Sequence, residues 1–290
     1  MLAAGSSIAT CLRWAGTQLS ESDSPRLDAE LLLAFTLERE RTYLFTWPEK
    51  PLAEAELQQF ASLVAERRRG VPVAYLLGRQ GFWDLTLTVT GATLIPRPET
   101  ELLVELALAK PVAGTQVLDL GTGSGAIALA LARQRPDWQL LAVDNSAEAL
   151  AVARHNGQRN HIGNITFLQS DWFAGLPEES HFGMIVSNPP YIDATDPHLQ
   201  QGDLRFEPVT ALVAAEAGLA DIRRIASDAR AHLAPGGWLL FEHGYNQEQA
   251  CQELLNELGY AQVACHRDLN NNPRVSEGQW PGEVGASHAR

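Results

Sequence analysis

Asp119-Leu120-Gly121-Thr122-Gly123-Ser124-Gly125 follows an apolar run and opens a helical pattern, so its glycines fall where a strand turns into a helix. Glycine at such a turn permits a tight backbone path and close approach of main chain to a ligand. Open α/β sheets bind ligands at this place, the carboxyl ends of their strands. An ordinary strand-to-helix turn needs one glycine, so three point to a bound molecule. The spacing leaves its identity open, because Gly121, Gly123 and Ala126 also satisfy the dinucleotide pattern G-x-G-x-x-G/A. Asp144, ending the next strand, suits a ribose diol under either reading. No Lys-Ser or Lys-Thr follows the glycines, which excludes a phosphate-cradling P-loop. Asp119 favours a cationic amino-acid tail, since its carboxylate would repel a pyrophosphate. Asp171-Trp172 adds an aromatic after the third strand, where an adenine could lie or the indole simply pack.

Downstream of residue 115 the chain alternates strand and helix with short links. Strands are read at 116–120, 139–144, 165–168, 183–187 and 238–242, with helices at 124–133, 147–156, 219–232 and 247–258. That order predicts a parallel sheet covered on both faces. Two last strands, 261–266 and 274–279, add an antiparallel edge and give a seven-stranded mixed sheet of the α/β class. Upstream, residues 24–45 read as a helix with Ser24 as N-cap, Pro25 in its first turn and Leu27, Leu31, Ala34 and Phe35 on one face. A second helix spans 53–69, with Leu57, Phe60 and Val64 on one face, Arg67-Arg68-Arg69 in its last turn and Gly70 just past it. With a weaker helix at 8–19, residues 1–75 form a small all-helical domain suited to docking a substrate, with Arg67 to Arg69 as one candidate patch. Residues 76–98 form a linker with a β-hairpin, in which 82–89 alternates, Gly91 turns and Thr93-Leu94-Ile95 returns. Ile95-Pro96-Arg97-Pro98-Glu99 must run extended. The α/β domain spans 99–282, and 283–290 reads as a disordered tail.

The 290 residues are 45% hydrophobic, enough for a sizeable core, and carry a formal net charge of −13. That charge argues against a duplex nucleic-acid partner, which requires a basic face. Cys11, Cys251 and Cys265 form no CxxC pair and no even set, which fits a reducing cytoplasm. The histidines lie at no ligand spacing, so no metal is expected. No stretch approaches the length of a membrane span and no signal pattern opens the chain, so the expected location is cytoplasmic.

Ser187-Asn188-Pro189-Pro190-Tyr191 stands directly behind the apolar run Met184-Ile185-Val186. Proline cannot donate to a ladder, so this strand ends with unpaired carbonyls. Those carbonyls, the amide oxygen of Asn188 and the flat ring of Tyr191 suit a planar NH2 group. With a glycine-rich first turn and an acidic second strand end, the chain resembles class I methyltransferases acting on planar nitrogen. Such enzymes act on adenine or cytosine amino groups or on glutamine side chains. The flanking sequence is more specific. Leu94 to Glu101 (LIPRPETE), Leu118 to Gly125 (LDLGTGSG), Ser187 to Ile192 (SNPPYI), Arg205-Phe206-Glu207-Pro208 and Glu242-His243-Gly244 together resemble the bacterial peptide chain release factor glutamine methyltransferases, the PrmC or HemK family. The segment Gly70 to Leu76 (GVPVAYL) also fits, so the resemblance covers nearly the whole chain.

That resemblance implies a class I methyltransferase Rossmann-like fold. It implies S-adenosylmethionine as methyl donor and, as acceptor, the glutamine of the Gly-Gly-Gln loop of class 1 release factors, a protein methylation that modulates translation termination. Asp119, Gly121, Thr122, Gly123, Ser124, Gly125, Asp144, Trp172 and Asn188 would hold the cofactor, with Trp172 on its adenine. Asn188, Pro189, Pro190 and Tyr191 would hold the glutamine, with Asn188, Pro189 and Tyr191 catalytic. Arg97 and Glu99 match the family motif ahead of the α/β domain, either lining the pocket or joining hairpin to helix. The family usually has a glycine where this chain has Asn271, a residue that tolerates a left-handed backbone. Asn188 and the Pro189 carbonyl are expected to accept the two amide N–H bonds while Tyr191 covers one face. A nucleic-acid amino-methyltransferase shares the tetrapeptide but calls for a basic cleft. A non-catalytic adaptor that binds S-adenosylmethionine would usually have lost one of Asp119, Asp144, Asn188 or Tyr191. A nicotinamide oxidoreductase leaves Asn188 to Tyr191 without a purpose.

Overall fold

The computed structural model describes residues 2–177 and 179–282. The segment 283–290, expected as a tail, lies outside the described residues. The chain forms two compact units, Met1–Arg79 with Pro197–Phe206, and Gln80–Asp196 with Glu207–Arg290.

The first unit holds helices α1 (Ile8–Gln18), α2 (Pro25–Thr36), α3 (Arg41–Thr46), α4 (Glu54–Arg68) and α5 (Val73–Leu77). Their apolar stripes close on Cys11, Leu32, Leu33 and Phe60, all without solvent exposure. The helix expected over 24–45 is two helices, because Leu37 closes α2 and Glu38 turns left-handed at φ 52. Arg67, read as part of a docking patch, is used internally. Its Nε donates to Asp28 at 2.7 Å and its Nη1 to Asp203 at 2.7 Å, which ties α4 to α2 and to the 197–206 segment.

In the second unit β1 (Arg79–Phe82) and β2 (Leu85–Thr88) form a two-stranded sheet. The hairpin therefore turns at Trp83-Asp84, not at Gly91, with Trp83 at φ 55 and its N–H donated to Glu101 Oε1 at 2.8 Å. A two-residue turn preserves the alternation of apolar residues, so the pattern reads straight through it. Thr93-Leu94-Ile95 makes no returning strand, and Ile95 N–H bonds instead to the Glu207 carboxylate at 2.9 Å.

There follow α6 (Glu101–Ala109), β3 (Gln116–Leu120), α7 (Ala126–Gln134), β4 (Gln139–Asp144), α8 (Ala147–Arg159), β5 (Ile165–Gln169), β6 (Phe182–Ser187) and the short strands β7 (Ile192–Asp193) and β8 (Val213–Ala214). The four-residue turn α9 (Ala215–Gly218), α10 (Ala220–His232), β9 (Leu233–Glu242), α11 (Glu248–Glu257), β10 (Ala261–Arg267) and β11 (Pro273–Gln279) complete the unit. The seven-stranded sheet has the order β10-β11-β9-β6-β3-β4-β5. β3, β4, β5, β6 and β9 pair in parallel, and β11 inserts antiparallel between β9 and β10. The hairpin turn of this pair places Asn271 at φ 63.

Alternation along the buried strands sends Val117, Leu140, Met184 and Leu240 to a core with α6, α7 and the hairpin. Leu118, Leu120, Ile185 and Phe241 face the opposite core with α10 and α11. No helix among the described residues is long and apolar enough to cross a membrane.

Asn156 joins the hairpin to the glycine turn. Its Oδ1 accepts the Thr88 N–H at 2.7 Å, and its Nδ2 donates to the carbonyls of Thr88 at 3.0 Å and Ser124 at 2.9 Å. Removing a buried partner leaves backbone groups unsatisfied, at about 1–3 kcal/mol each. Asn156→Ala should therefore destabilise the chain by about 3 kcal/mol in urea titrations.

Candidate active site

β3 ends in a run of left-handed glycines, Gly121 at φ 70, Gly123 at φ 55 and Gly125 at φ 85. A Cβ on Gly121 would lie 3.2 Å from the Trp172 ring, whereas one on Gly123 would meet nothing within 4 Å. Backbone can thus face a ligand at Gly123. Its N–H donates to Asp144 Oδ2 at 2.8 Å, while Asp144 Oδ1 accepts the Ser146 N–H at 2.9 Å. Burial raises the Asp144 pKa, and both bonds oppose that rise.

These residues line a cavity of about 310 Å3 in the second unit. Gly121, Thr122, Gly123, Ser124, Asp144 and Trp172 form its walls on the side of the glycine turn, and Asn188, Pro190, Thr100 and Arg97 line it as well. Trp172 is held by its Nε1–H, donated to Asp221 Oδ1 at 3.3 Å. Of the residues singled out from the sequence, Asp119, Gly125, Glu99, Pro189 and Tyr191 do not line the cavity.

Asp119 lies under the glycine turn with no exposure. Its Oδ2 accepts the Thr122 hydroxyl at 2.7 Å and its Oδ1 has no partner among the described residues. Burial pushes its carboxyl up from 3.8 to about 7. Arg97 is committed to the buried carboxylate of Glu207, so the joining role fits it better than a free charge in the pocket.

Asn188 is oriented by a chain of hydrogen bonds. Its Nδ2 donates to Thr100 Oγ1 at 3.2 Å, and Thr100 donates to Glu242 Oε2 at 2.6 Å. The other carboxylate oxygen, Glu242 Oε1, accepts the Tyr191 hydroxyl at 2.9 Å. Glu242 is buried, which raises its pKa, while its two hydroxyl donors and the charge of Arg274 oppose that rise. The Tyr191 phenol is pushed up too, first by burial and then by the adjacent Glu242 charge. Its hydroxyl is held by that carboxylate, and Tyr191, expected from the sequence to cover one face of the glutamine, does not line the cavity.

Gln247 fixes the segment that follows. Its Nε2 donates to the carbonyls of Tyr191 and Ala217, each at 3.1 Å, and its Oε1 accepts the Gly244 N–H at 2.8 Å. Ala217 belongs to a left-handed run, Glu216 at φ 55, Ala217 at φ 55 and Gly218 at φ 84. A Cβ on Gly218 would fall 2.0 Å from the Tyr191 carbonyl oxygen, so only glycine admits this approach.

Sequence reasoning assigned no role to Thr100, Glu242 or Gln247, although an acidic residue ending the apolar run from Trp238 was a signal for Glu242. Leu94 and Pro208 also line the cavity and were marked only as parts of family motifs, while Ala92, Thr210 and Ala211 carried no signal.

This sheet order, with a glycine turn after its first parallel strand and an acid ending the next, defines a class I S-adenosylmethionine-dependent methyltransferase. A solved methyltransferase from Pyrococcus furiosus shares the fold, with a TM-score of 0.53 at 19% identity over 77% of this chain and 99% of that one. The family model for the PrmC N-terminal domain matches residues 10–78, and that for the methyltransferase small domain matches 98–203. Release factor glutamine methyltransferase of Shewanella oneidensis is 49% identical over 97% of this chain and 98% of its own. The proteins of that name from Escherichia coli and Pseudomonas aeruginosa are 51% and 53% identical over 93% of this chain, covering 97% and 98% of theirs. The chain belongs to the release factor glutamine methyltransferase family.

Asp119 sets a pH dependence. A carboxyl whose pKa is raised in the fold contributes stability that is fully present below its unfolded value and is lost as pH rises through the folded one. For Asp119 the loss falls between pH 3.8 and about 7. The melting temperature should decline from pH 5 to pH 8, and Asp119→Asn should make that decline shallower. The raised Asp144 and Glu242 act in the same direction, so some slope remains.

Proposed function

We propose that this chain transfers a methyl group from S-adenosylmethionine to the side-chain amide nitrogen of a glutamine in class 1 peptide chain release factors, the glutamine of their Gly-Gly-Gln loop. The observation that carries this reading is the orientation of Asn188. Its amino end is taken by Thr100, so its carbonyl oxygen is left to accept a hydrogen from whatever occupies the cavity. The names of the relatives support the acceptor, and the net charge of −13 suits a protein loop better than a nucleic acid.

The cavity residues fit the cofactor. Asp144 lines it with a carboxylate that can receive ribose hydroxyls, the space at Gly123 admits a ligand against the backbone, and Trp172 offers an apolar wall for an adenine. Below the turn the unpartnered Asp119 Oδ1 suits the field of a cationic amino-acid tail. When bound, S-adenosylmethionine supplies an electrophilic methyl on its sulfonium.

The protein's part is positioning. An amide nitrogen is a poor nucleophile because its lone pair is delocalised into the carbonyl. Asn188 Oδ1, on a side chain that lines the cavity, accepts an amide hydrogen and holds the nitrogen toward the donor. That dipole stabilises positive charge developing on nitrogen more than it stabilises the neutral amide, which lowers the barrier. As the N–C bond forms the C–S bond would break, its electron pair returning to sulfur as a neutral thioether, and the methylated nitrogen would release one of its hydrogens as a proton to water. Tyr191 acts one step back by holding its own segment against Glu242.

Asn188→Ala should lower single-turnover methylation of a release factor about a hundredfold, by analogy with loss of one transition-state hydrogen bond. Calorimetry should show nearly unchanged affinity for S-adenosylmethionine. An unchanged rate would remove the basis of the proposal.

A further inference from the structure

With Glu242 ionised, the form that its two hydroxyl donors and the charge of Arg274 favour against burial, Glu242, Thr100 and Asn188 form a hydrogen-bond chain with one direction available to it. A carboxylate can only accept. Both oxygens of Glu242 do so, Oε2 from Thr100 at 2.6 Å and Oε1 from Tyr191 at 2.9 Å. Thr100 has one hydroxyl proton, and it is committed to Glu242. Toward Asn188 the same oxygen can then act only as an acceptor, so it is the amino end of the carboxamide that faces it, at 3.2 Å. The two ends of a carboxamide are told apart by their partners. Here those partners leave Asn188 Oδ1 outward, with no donor among the described residues, on a side chain that lines the cavity beside Thr100. Thr100 and Glu242 are both buried, so water does not readily substitute for either.

We propose that Glu242, acting through Thr100, is a positioning residue that makes the acceptor site accept hydrogen bonds and never donate them, and thereby discriminates glutamine from glutamate. This rests on the reading that the acceptor is a glutamine amide. An NH2 group meets an acceptor, Asn188 Oδ1. A glutamate carboxylate brings acceptors to an acceptor, and is repelled. Sites built around a substrate's NH group reject analogues lacking it far more strongly than shape alone would. Without the Thr100 hydroxyl the Asn188 carboxamide is free to turn, and its amino end would then welcome the carboxylate.

The test uses the full-length chain with two forms of a release factor, one with the acceptor glutamine and one with glutamate in its place. Dissociation constants are measured for both, and methylation rates for the first. Thr100→Val keeps the side-chain shape and removes the hydroxyl. It should slow glutamine methylation about tenfold and shrink the glutamate-to-glutamine ratio of dissociation constants about tenfold, the scale of one lost hydrogen bond. Affinity for S-adenosylmethionine should stay within about twofold, because none of the glycine-turn contacts changes. Thr100→Ser should restore both the rate and the ratio. Should the valine variant fail to fold, Thr100→Ala carries the same expectation without added bulk. A ratio that stays at the wild-type value in the hydroxyl-free variants, or a serine variant as impaired as the valine one, overturns the relay alone. Absence of methylation by the wild-type chain overturns the acceptor assignment and the relay with it.

Discussion

Much of the site depends on a carboxylate placed where water cannot reach it. Glu242 ends strand β9 with almost no exposure, and an unpaired charge there would be strongly destabilising. The donors that satisfy it are the hydroxyls of Thr100 and Tyr191. One side chain thus fixes the approach to α6, the end of β6 and the end of β9 against one another. That arrangement sets which way Asn188 faces.

The same device recurs around the cavity. Glu207 receives the Ile95 N–H and pairs with Arg97, which holds the extended segment before α6. Gln247 binds the carbonyls of Tyr191 and Ala217 and so stabilises the left-handed run at 216–218. Asn156 supplies the hairpin with the pairing of a missing strand neighbour. In each case a polar side chain far along the chain satisfies backbone groups that no ladder reaches, and satisfied networks of this kind rigidify what they connect. A site that works by positioning needs such support, since small displacements of a bound group cost rate steeply.

The parallel strands were legible because apolar runs bounded by glycine and acidic residues have few alternative explanations, and β3 and β4 lie where the pattern puts them. The glycine turn and the cavity-lining Asn188 and Asp144 were legible for a related reason, since their residue types serve ligands more readily than packing. What failed was local. The hairpin turn at Trp83 was hidden because a two-residue turn keeps the alternation in step. The break at Glu38 was hidden because helical periodicity resumes after it. The roles of Thr100, Glu242 and Gln247 could not be read at all, because they are properties of pairs separated by up to 142 residues. The insertion of β11 inside β10 has the same origin, since strand order is not encoded in the pattern of either strand.

Positioning without a strong base accounts for the chemistry if the acceptor is a glutamine amide held by Asn188. The most direct measurement is methyl transfer from S-adenosylmethionine labelled in its methyl group, offered a release factor, the same factor with alanine at the acceptor glutamine, and an oligonucleotide. The account predicts label on the first alone, located by mass spectrometry on the glutamine side chain. Label on the oligonucleotide, or label persisting on the alanine form, would contradict it.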